Sequence, residues 1–371
     1  MDFDFTDDQE QLRDAVRKFV DKGYSFDRRR AAAKAGGFDR AAFTELAELG
    51  LTGLYIPEDD GGLGMGPVEG LVVMEELGRG IVLEPLAQSL IAGAVISGYG
   101  DAALKAAWLP AIASGEALLS LAYLERGSRY DLGKSTGNCT NVSDKWSLSA
   151  TKSVVSAADH AQGFIVSAMA NGKLALFVVD AKATGVAVQA YGTQDGGRAG
   201  EVTFTNAPAQ LLTLDGITAL EHAVDIGIAC TCAEAVGVMD KTMAITVEYM
   251  NMRKQFGVVI SGFQALRHRV ADMKMQLELA RSMAYFAALK LNDPAPQRRR
   301  AMAQAKYQLG QSMRFVGQQA VQLHGGIGVT DEYIVSHYFK KLTQLEMVFG
   351  DSMQHLGEVS DRMQDTAGVF A

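Results

Sequence analysis

Two stretches in the second half of the chain hold residue types that could do chemistry together. The first is Arg253-Lys254-Gln255-Phe256-Gly257, followed by Phe263-Gln264 and Ala271-Asp272-Met273; the second is Gln322-Leu323-His324-Gly325-Gly326-Ile327-Gly328. An arginine at a helix end is a forked donor for a phosphate or pyrophosphate. An aromatic beside it can pack on a planar ring, and glycines let backbone N–H groups approach an anion closely. The set reads as an anionic cradle. Taken singly, the same residues also fit as two core phenylalanines, a cation facing a helix C-terminus and two helix caps. Other chemistries lack their usual residues. The 6 histidines are scattered, with no His-x-x-x-His and no Cys-x-x-Cys, so no metal centre is expected. Neither a Gly-x-Ser-x-Gly elbow, a Walker loop nor a Gly-x-Gly-x-x-Gly after a strand is present.

The elements that must position these residues come in three textures. From Thr6, an N-cap followed by Asp7, Asp8 and Glu10, apolar residues recur at helical spacing, and similar patterns at 40–49, 67–77, 86–98 and 101–114 make the first third helical. From 117 to about 214 the apolar residues fall in short runs and alternations, such as Trp146-Ser147-Leu148-Ser149 and Leu174 to Val179, which read as strands. Beyond Leu220, helices are expected at about 220–251, 262–291, 297–324 and 331–363. The expected fold is therefore α+β, with an N-terminal all-α domain (1–116), a middle β-barrel-like domain (117–216) and a C-terminal four-helix bundle (217–371). Arg298-Arg299-Arg300 reads as a solvated helix face.

Composition bounds the partners. With 35 basic and 43 acidic residues among 371, the formal charge is −8, which argues against nucleic acid or an anionic membrane surface but leaves an anionic small ligand open. Cys139, Cys230 and Cys232 do not make a disulfide framework, and the acidic start Met1-Asp2-Phe3-Asp4 is unlike a secretory signal. The stretch 81–99 is broken by Glu84 and Pro85 and falls short of a membrane span. A cytoplasmic protein is expected.

Across its whole length the chain resembles the acyl-CoA dehydrogenase family of flavoproteins, in both its two motifs and its order of sections. The resemblance implies FAD as cofactor, an acyl-CoA thioester as substrate and an electron-transfer flavoprotein as acceptor. It also implies that Arg253, Gln255, Phe256, Gln264, Gln322, Leu323, Gly325 and Gly326 contact the FAD of a neighbouring subunit, and that Ser156 supplies a hydroxyl near flavin N5 in this chain's own site. The implied reaction removes a proton from the acyl α carbon while hydride leaves the β carbon for the flavin. It requires a carboxylate base in a dry pocket.

That base is missing from its family positions. Where the pattern places Glu before the last helix stand Phe349 (no gap) or Gly350 (one gap), and the alternative position in an earlier helix holds Gly227. Asp351 is a displaced candidate that could equally cap the final helix, and Glu346 lies a turn earlier. The family's Thr-Glu-Pro-x-x-Gly-Ser-Asp loop has become Leu124-Glu125-Arg126-Gly127-Ser128-Arg129-Tyr130-Asp131, while Lys152 of the next strand pair is kept. The half of the flavin site offered to a neighbour thus looks intact and the half in the same chain eroded. This pattern resembles the partner subunit of heteromeric acyl-CoA dehydrogenases acting on steroid side chains or dicarboxylic acyl-CoAs. A homo-oligomer using Asp351 as base, and a flavin-free structural or binding homologue, are the rival expectations.

Overall fold

The computed structural model describes residues 5–143 and 145–363; the first four residues, on which the reading of the acidic start partly rests, lie outside them. The described chain is helical, then strand-rich, then helical again. Helix α1 (Asp7–Lys18) opens on a capping box in which the Thr6 and Gln9 side chains each bond the other's backbone N–H, with Asp7, Asp8 and Glu10 against the positive end of the dipole. Helix α2 (Phe26–Lys34) has no sequence signal, because its Arg/Ala run carries no apolar stripe. Asp39 caps α3 (Arg40–Glu48), Pro67 opens α4 (Pro67–Arg79), and α5 (Leu86–Tyr99) and the Asp101-capped α6 (Ala102–Ala113) follow.

The strands are β1 (Leu119–Ala122), β2 (Asn138–Val142), β3 (Lys145–Ser156), β4 (Gly163–Ala170), β5 (Lys173–Asp180), β6 (Val186–Gly192) and β7 (Arg198–Thr213). Pairing runs β4-β2-β3-β7-β5 and returns from β5 to β4, so five strands close on themselves. The closure from β2 to β4 rests on a single pair, Asn138 with Met169; β1 and β6 are added outside the ring on β4 and β7. The result is the expected barrel-like sheet. Its interior is filled by Leu148, Phe164, Phe177, Val202 and Phe204, with Trp146 tilted against Phe177 at 5.3 Å.

The last section contains α7 (Gly216–Met252), a short hairpin β8 (Lys254–Gln255) and β9 (Val258–Val259), α8 (Gln264–Lys290), α9 (Ala295–His324), α10 (Ile334–Met347) and α11 (Ser352–Asp361). The helical stretch expected over 331–363 is two helices, broken just before Asp351, the residue read as a possible cap. Phe349 (φ 58°) and Gly350 (φ 106°) leave helical space between them and turn the chain. Helix α7, rather than 81–99, is the one described helix long and apolar enough to cross a membrane, yet 89% of that window is buried in protein, the pattern of a core helix.

The described residues form two compact units. One comprises the chain up to Arg28, Pro67–Val82 and everything from Ile228; the other comprises Arg29–Gly66 and Leu83–Gly227. Within the first unit, α4 crosses α7 backbone to backbone. A Cβ at Gly78 would lie 2.1 Å from Glu234 O, and one at Gly237 only 1.8 Å from Glu75 O. Ion pairs flank the crossing: Arg17 to Glu76 at 2.6 Å, Arg79 to Asp240 at 2.7 Å, and Arg281 to Glu75. Gly237→Ala must therefore push the helices apart and stretch these pairs. The expected cost is about 1–3 kcal/mol, read as a thermal midpoint several degrees lower; an unchanged midpoint would mean the crossing is not tight.

Candidate functional site

The first cluster folds as a presentation device. Helix α7 ends as Arg253 N–H donates to Tyr249 O (2.8 Å), and the chain reverses in a hairpin closed by Ile260 N–H to Arg253 O (2.8 Å). Its two-residue turn is Phe256-Gly257, with φ 53° and 80°. Both values are left-handed, as the favoured hairpin turn requires, but at the first position Asn or Gly would sit without the strain a phenylalanine bears. Phe256 is 91% exposed, so it is not a core residue. Phe263 meets it edge-on at 6.2 Å. Arg253, Gln255 and Gln264 are exposed around it, and the Phe263 N-cap gives α8 no side-chain cap.

The second cluster closes α9. Gly325 has φ 64° and ψ −141°, a conformation essentially reserved for glycine. A Cβ at Gly326 would meet nothing within 4 Å, so the space beside it is open. Gln322 is exposed, whereas Leu323 is buried and can offer a ligand only its backbone.

One interaction binds the two clusters, and the sequence reading missed it. His324 is buried, stacked on Tyr249 at 4.5 Å and 5.3 Å from Tyr333. Its Nδ1–H donates to Ala320 O (2.8 Å), the Tyr249 hydroxyl donates to His324 O (3.3 Å), and Nε2 is buried without a partner among the described residues. Burial lowers its pKa and keeps the ring neutral. Tyr249, one turn before Arg253, thereby fixes the hairpin end of α7 to the Gly-Gly end of α9. The signal available was an aromatic four residues before the arginine and another directly before the glycines.

The corner between α10 and α11 holds the candidate bases. Asp351 is the N-cap of α11 and accepts from Gln354 N–H at 2.9 Å. Glu346 accepts from the backbone N–H (3.1 Å) and hydroxyl (2.7 Å) of Ser352. At Gly350, one of the two positions expected for the base before the last helix, a Cβ would sit 2.7 Å from His355 Nε2; the other, Phe349, carries no carboxylate. Gly227 lies inside α7.

Lys306, fully buried, ties the corner from α9 by donating to Glu346 O (2.8 Å) and Gly350 O (2.9 Å); burial pulls its pKa down to about 8. His355 donates Nε2–H to Phe349 O (3.0 Å), and burial, aided by the Lys306 charge, pushes its pKa down to about 4. The unfolded chain takes up this proton below about pH 6.5 and the folded chain only near 4. The unfolded state thus binds more protons in between, and stability falls as pH drops through that window. Thermal midpoints measured from pH 6.5 to 4 are expected to fall less steeply in His355→Gln than in the parent; equal slopes would mean the imidazole is not held neutral.

In the other unit, Lys152 on β3 is fully buried and donates to Glu125 (2.6 Å) and to the Ser167 hydroxyl (3.1 Å). Glu125 also accepts from Thr136 N–H (2.7 Å) and from the hydroxyls of Thr136 (2.6 Å) and Ser135 (2.7 Å). Burial alone would raise its pKa, but these donors overcome it and hold it at about 2. The retained lysine therefore anchors the 124–131 loop to the sheet. After it, a bulge puts Val154 at φ 54° with its side chain exposed. Ser156 follows, half-buried, its hydroxyl without a partner among the described residues. Arg126 is exposed, its Nε 3.7 Å from Glu201, and Arg129 adopts φ 50°.

The structure thus gathers Arg253, Gln255, Phe256, Gln264, Gln322, Gly325 and Gly326 at one end of the bundle, with Leu323 turned inward. Asp351 belongs to the α10–α11 corner and Ser156 to the sheet. Comparisons agree with this architecture. The chain is 28% identical over 96% of its length to acryloyl-CoA reductase (NADH) of Anaerotignum propionicum, 94% of which is matched. A solved variant of the steroid ACAD Tcur3481-Tcur3483 superposes with TM-score 0.90 at 30% identity, covering 97% of this chain and 99% of that one. The ChsE4-ChsE5 complex of Mycobacterium tuberculosis gives TM-score 0.89 at 25% identity, covering 99% and 100%. The acyl-CoA dehydrogenase N-terminal domain profile matches residues 6–116 and the acyl-CoA dehydrogenase C-terminal domain profile residues 215–364, and the chain accordingly belongs to the acyl-CoA dehydrogenase family, oxidoreductases acting on CH–CH bonds.

Proposed function

We propose that this chain works as one subunit of an FAD-dependent acyl-CoA dehydrogenase, completing a shared flavin site while a homologous subunit brings the catalytic base. The observation that carries the reading is the contrast between two regions. Of the two places before the last helix where the pattern would put the base, Phe349 carries no carboxylate and Gly350 is covered by His355, whereas Phe256 stands exposed and strained at the tip of the hairpin. Two superposable structures, a steroid ACAD and ChsE4-ChsE5, carry paired subunit names, which supports a heteromeric assembly.

The residues present fit FAD. Arg253 is free to fork onto a pyrophosphate, Phe256 offers a ring face, and Gln255, Gln264 and Gln322 offer amides. Gly325, Gly326 and the Leu323 backbone would lie against the dinucleotide, in the room that the absent Cβ at Gly326 leaves. When bound, FAD accepts the hydride from the acyl β carbon. Only in the homo-oligomer reading would the Ser156 hydroxyl donate a hydrogen bond to a flavin in this chain's own site. Asp351 and Glu346 spend their carboxylates on the α11 N-terminus, so the proton at the α carbon goes to a carboxylate of the partner. We assign the electrons to an electron-transfer flavoprotein, and three free, buried cysteines suit the reducing cytoplasm in which we place the enzyme.

The test is flavin content, measured by visible absorption on the chain alone and co-expressed with a homologous subunit. About one FAD per two chains, acquired only with the partner, is the expected result. One FAD per chain in the protein alone would support a homo-oligomer, and none in either form a flavin-free homologue. In the co-expressed enzyme Asp351→Asn is expected to keep its turnover; collapse with FAD retained would make Asp351 the base.

A further inference from the structure

The antiparallel pair α8 and α9 leaves a cavity of about 550 Å³ at its turn end, with Arg362, just past α11, on its border. Its wall is apolar at Phe286, while Lys290, Arg300 and Arg362 face in from three segments and Asp293 is the sole carboxylate among its lining residues. The cations are not equally occupied. Lys290 bonds Asp293 at 2.8 Å and Arg362 bonds Glu358 at 3.3 Å, but Arg300 Nε is buried and bonds no described residue. The expectation of a solvated basic face over 298–300 is corrected here: Arg298 is buried and Arg299 and Arg300 are partly so.

No ion pair joins Arg300 to a described residue, so of the three cations it is the one left to meet an anion entering the cavity. With Lys290 paired to Asp293 and Arg362 to Glu358, Arg300 is left as the unpaired positive charge of the lining, which suits an anion. The volume is far larger than a bare oxyanion needs and lies in the range of sites for whole small molecules. A planar, apolar portion would rest on Phe286. The amide of Gln304 also borders the cavity and gives a neutral donor beside the charges. None of these residues belongs to the clusters assigned to FAD.

We propose that this cavity binds a phosphate-bearing small molecule of nucleotide size, Arg300 being its forked phosphate donor. The test uses the assembled, flavin-loaded protein and calorimetric titration with AMP, adenosine and inorganic phosphate. AMP is expected to bind, adenosine not to, and phosphate alone only weakly. Arg300→Gln is expected to weaken AMP at least about tenfold, or about 1.4 kcal/mol. Lys290→Gln should weaken it less, since Asp293 already holds that ammonium. Flavin content and the ligand-free thermal midpoint should stay unchanged in both variants. Equal AMP affinity in Arg300→Gln and the parent overturns the proposal. So does AMP binding that is lost in Arg253→Ala but kept in Arg300→Gln, which would place the nucleotide in the dinucleotide cradle, and so does the absence of AMP binding.

Discussion

Arg253→Ala is expected to strip the flavin from whichever site this chain completes. A forked, charged donor to a pyrophosphate contributes about 2 kcal/mol or more, and losing it weakens binding roughly thirtyfold or worse. The loss should fall on the cofactor rather than on the fold, because the guanidinium is exposed and the hairpin is closed by backbone bonds from Arg253 N and O. Arg253→Lys keeps the charge without the fork and should recover only part of the flavin. The check is flavin-to-protein ratio in the co-expressed assembly, alongside circular dichroism. A fully yellow, folded Arg253→Ala assembly would remove this arginine from the cofactor site.

The largest expected effect on stability is Glu125→Gln. Removing the charge strands the Lys152 ammonium, fully buried behind it, and breaking one side of a buried pair costs about 3–5 kcal/mol. Denaturant titration should show a correspondingly lower midpoint. The pH dependence has a definite sign. With a folded pKa of about 2 against an ordinary 4.5, Glu125 stabilises fully above the ordinary value, and that contribution is lost as pH falls through the window between them. The parent should therefore lose stability with acid across that window, and Glu125→Gln should lose less. A variant as stable as the parent at neutral pH would show that the pair is not the anchor of the 124–131 loop.

Much of this was legible from residue spacing, and the exceptions have physical causes. Helix α1 announces itself through the Thr6 cap and α3 and α6 through their helical spacing, and the apolar runs of β4 and β5 mark the sheet. Helix α2 has no stripe to read, and the break between α10 and α11 depends on Phe349 taking a conformation its type does not favour. The closure of the barrel rests on one pair, Asn138 with Met169, separated by too much chain for local pattern to show. At the site, the residue types of the cradle were visible as motifs. Asp351 as a helix cap was one of the two readings its position allowed; what was not visible was Lys152 spent on Glu125 and His355 on the space above Gly350.

Phe256 gives the chain a dependence on supply. A lone subunit displays a fully wetted aromatic on a strained turn, near other exposed apolar residues such as Met252 and Val258. Such a surface is tolerated while covered and adhesive while bare. In the shared-site assembly proposed above, association would cover it by mass action, so the subunit's persistence would rise with the amount of partner present. On that proposal, making this chain in excess of its partner would leave a surplus with a bare apolar patch, so its solubility would follow the ratio in which the two chains are made.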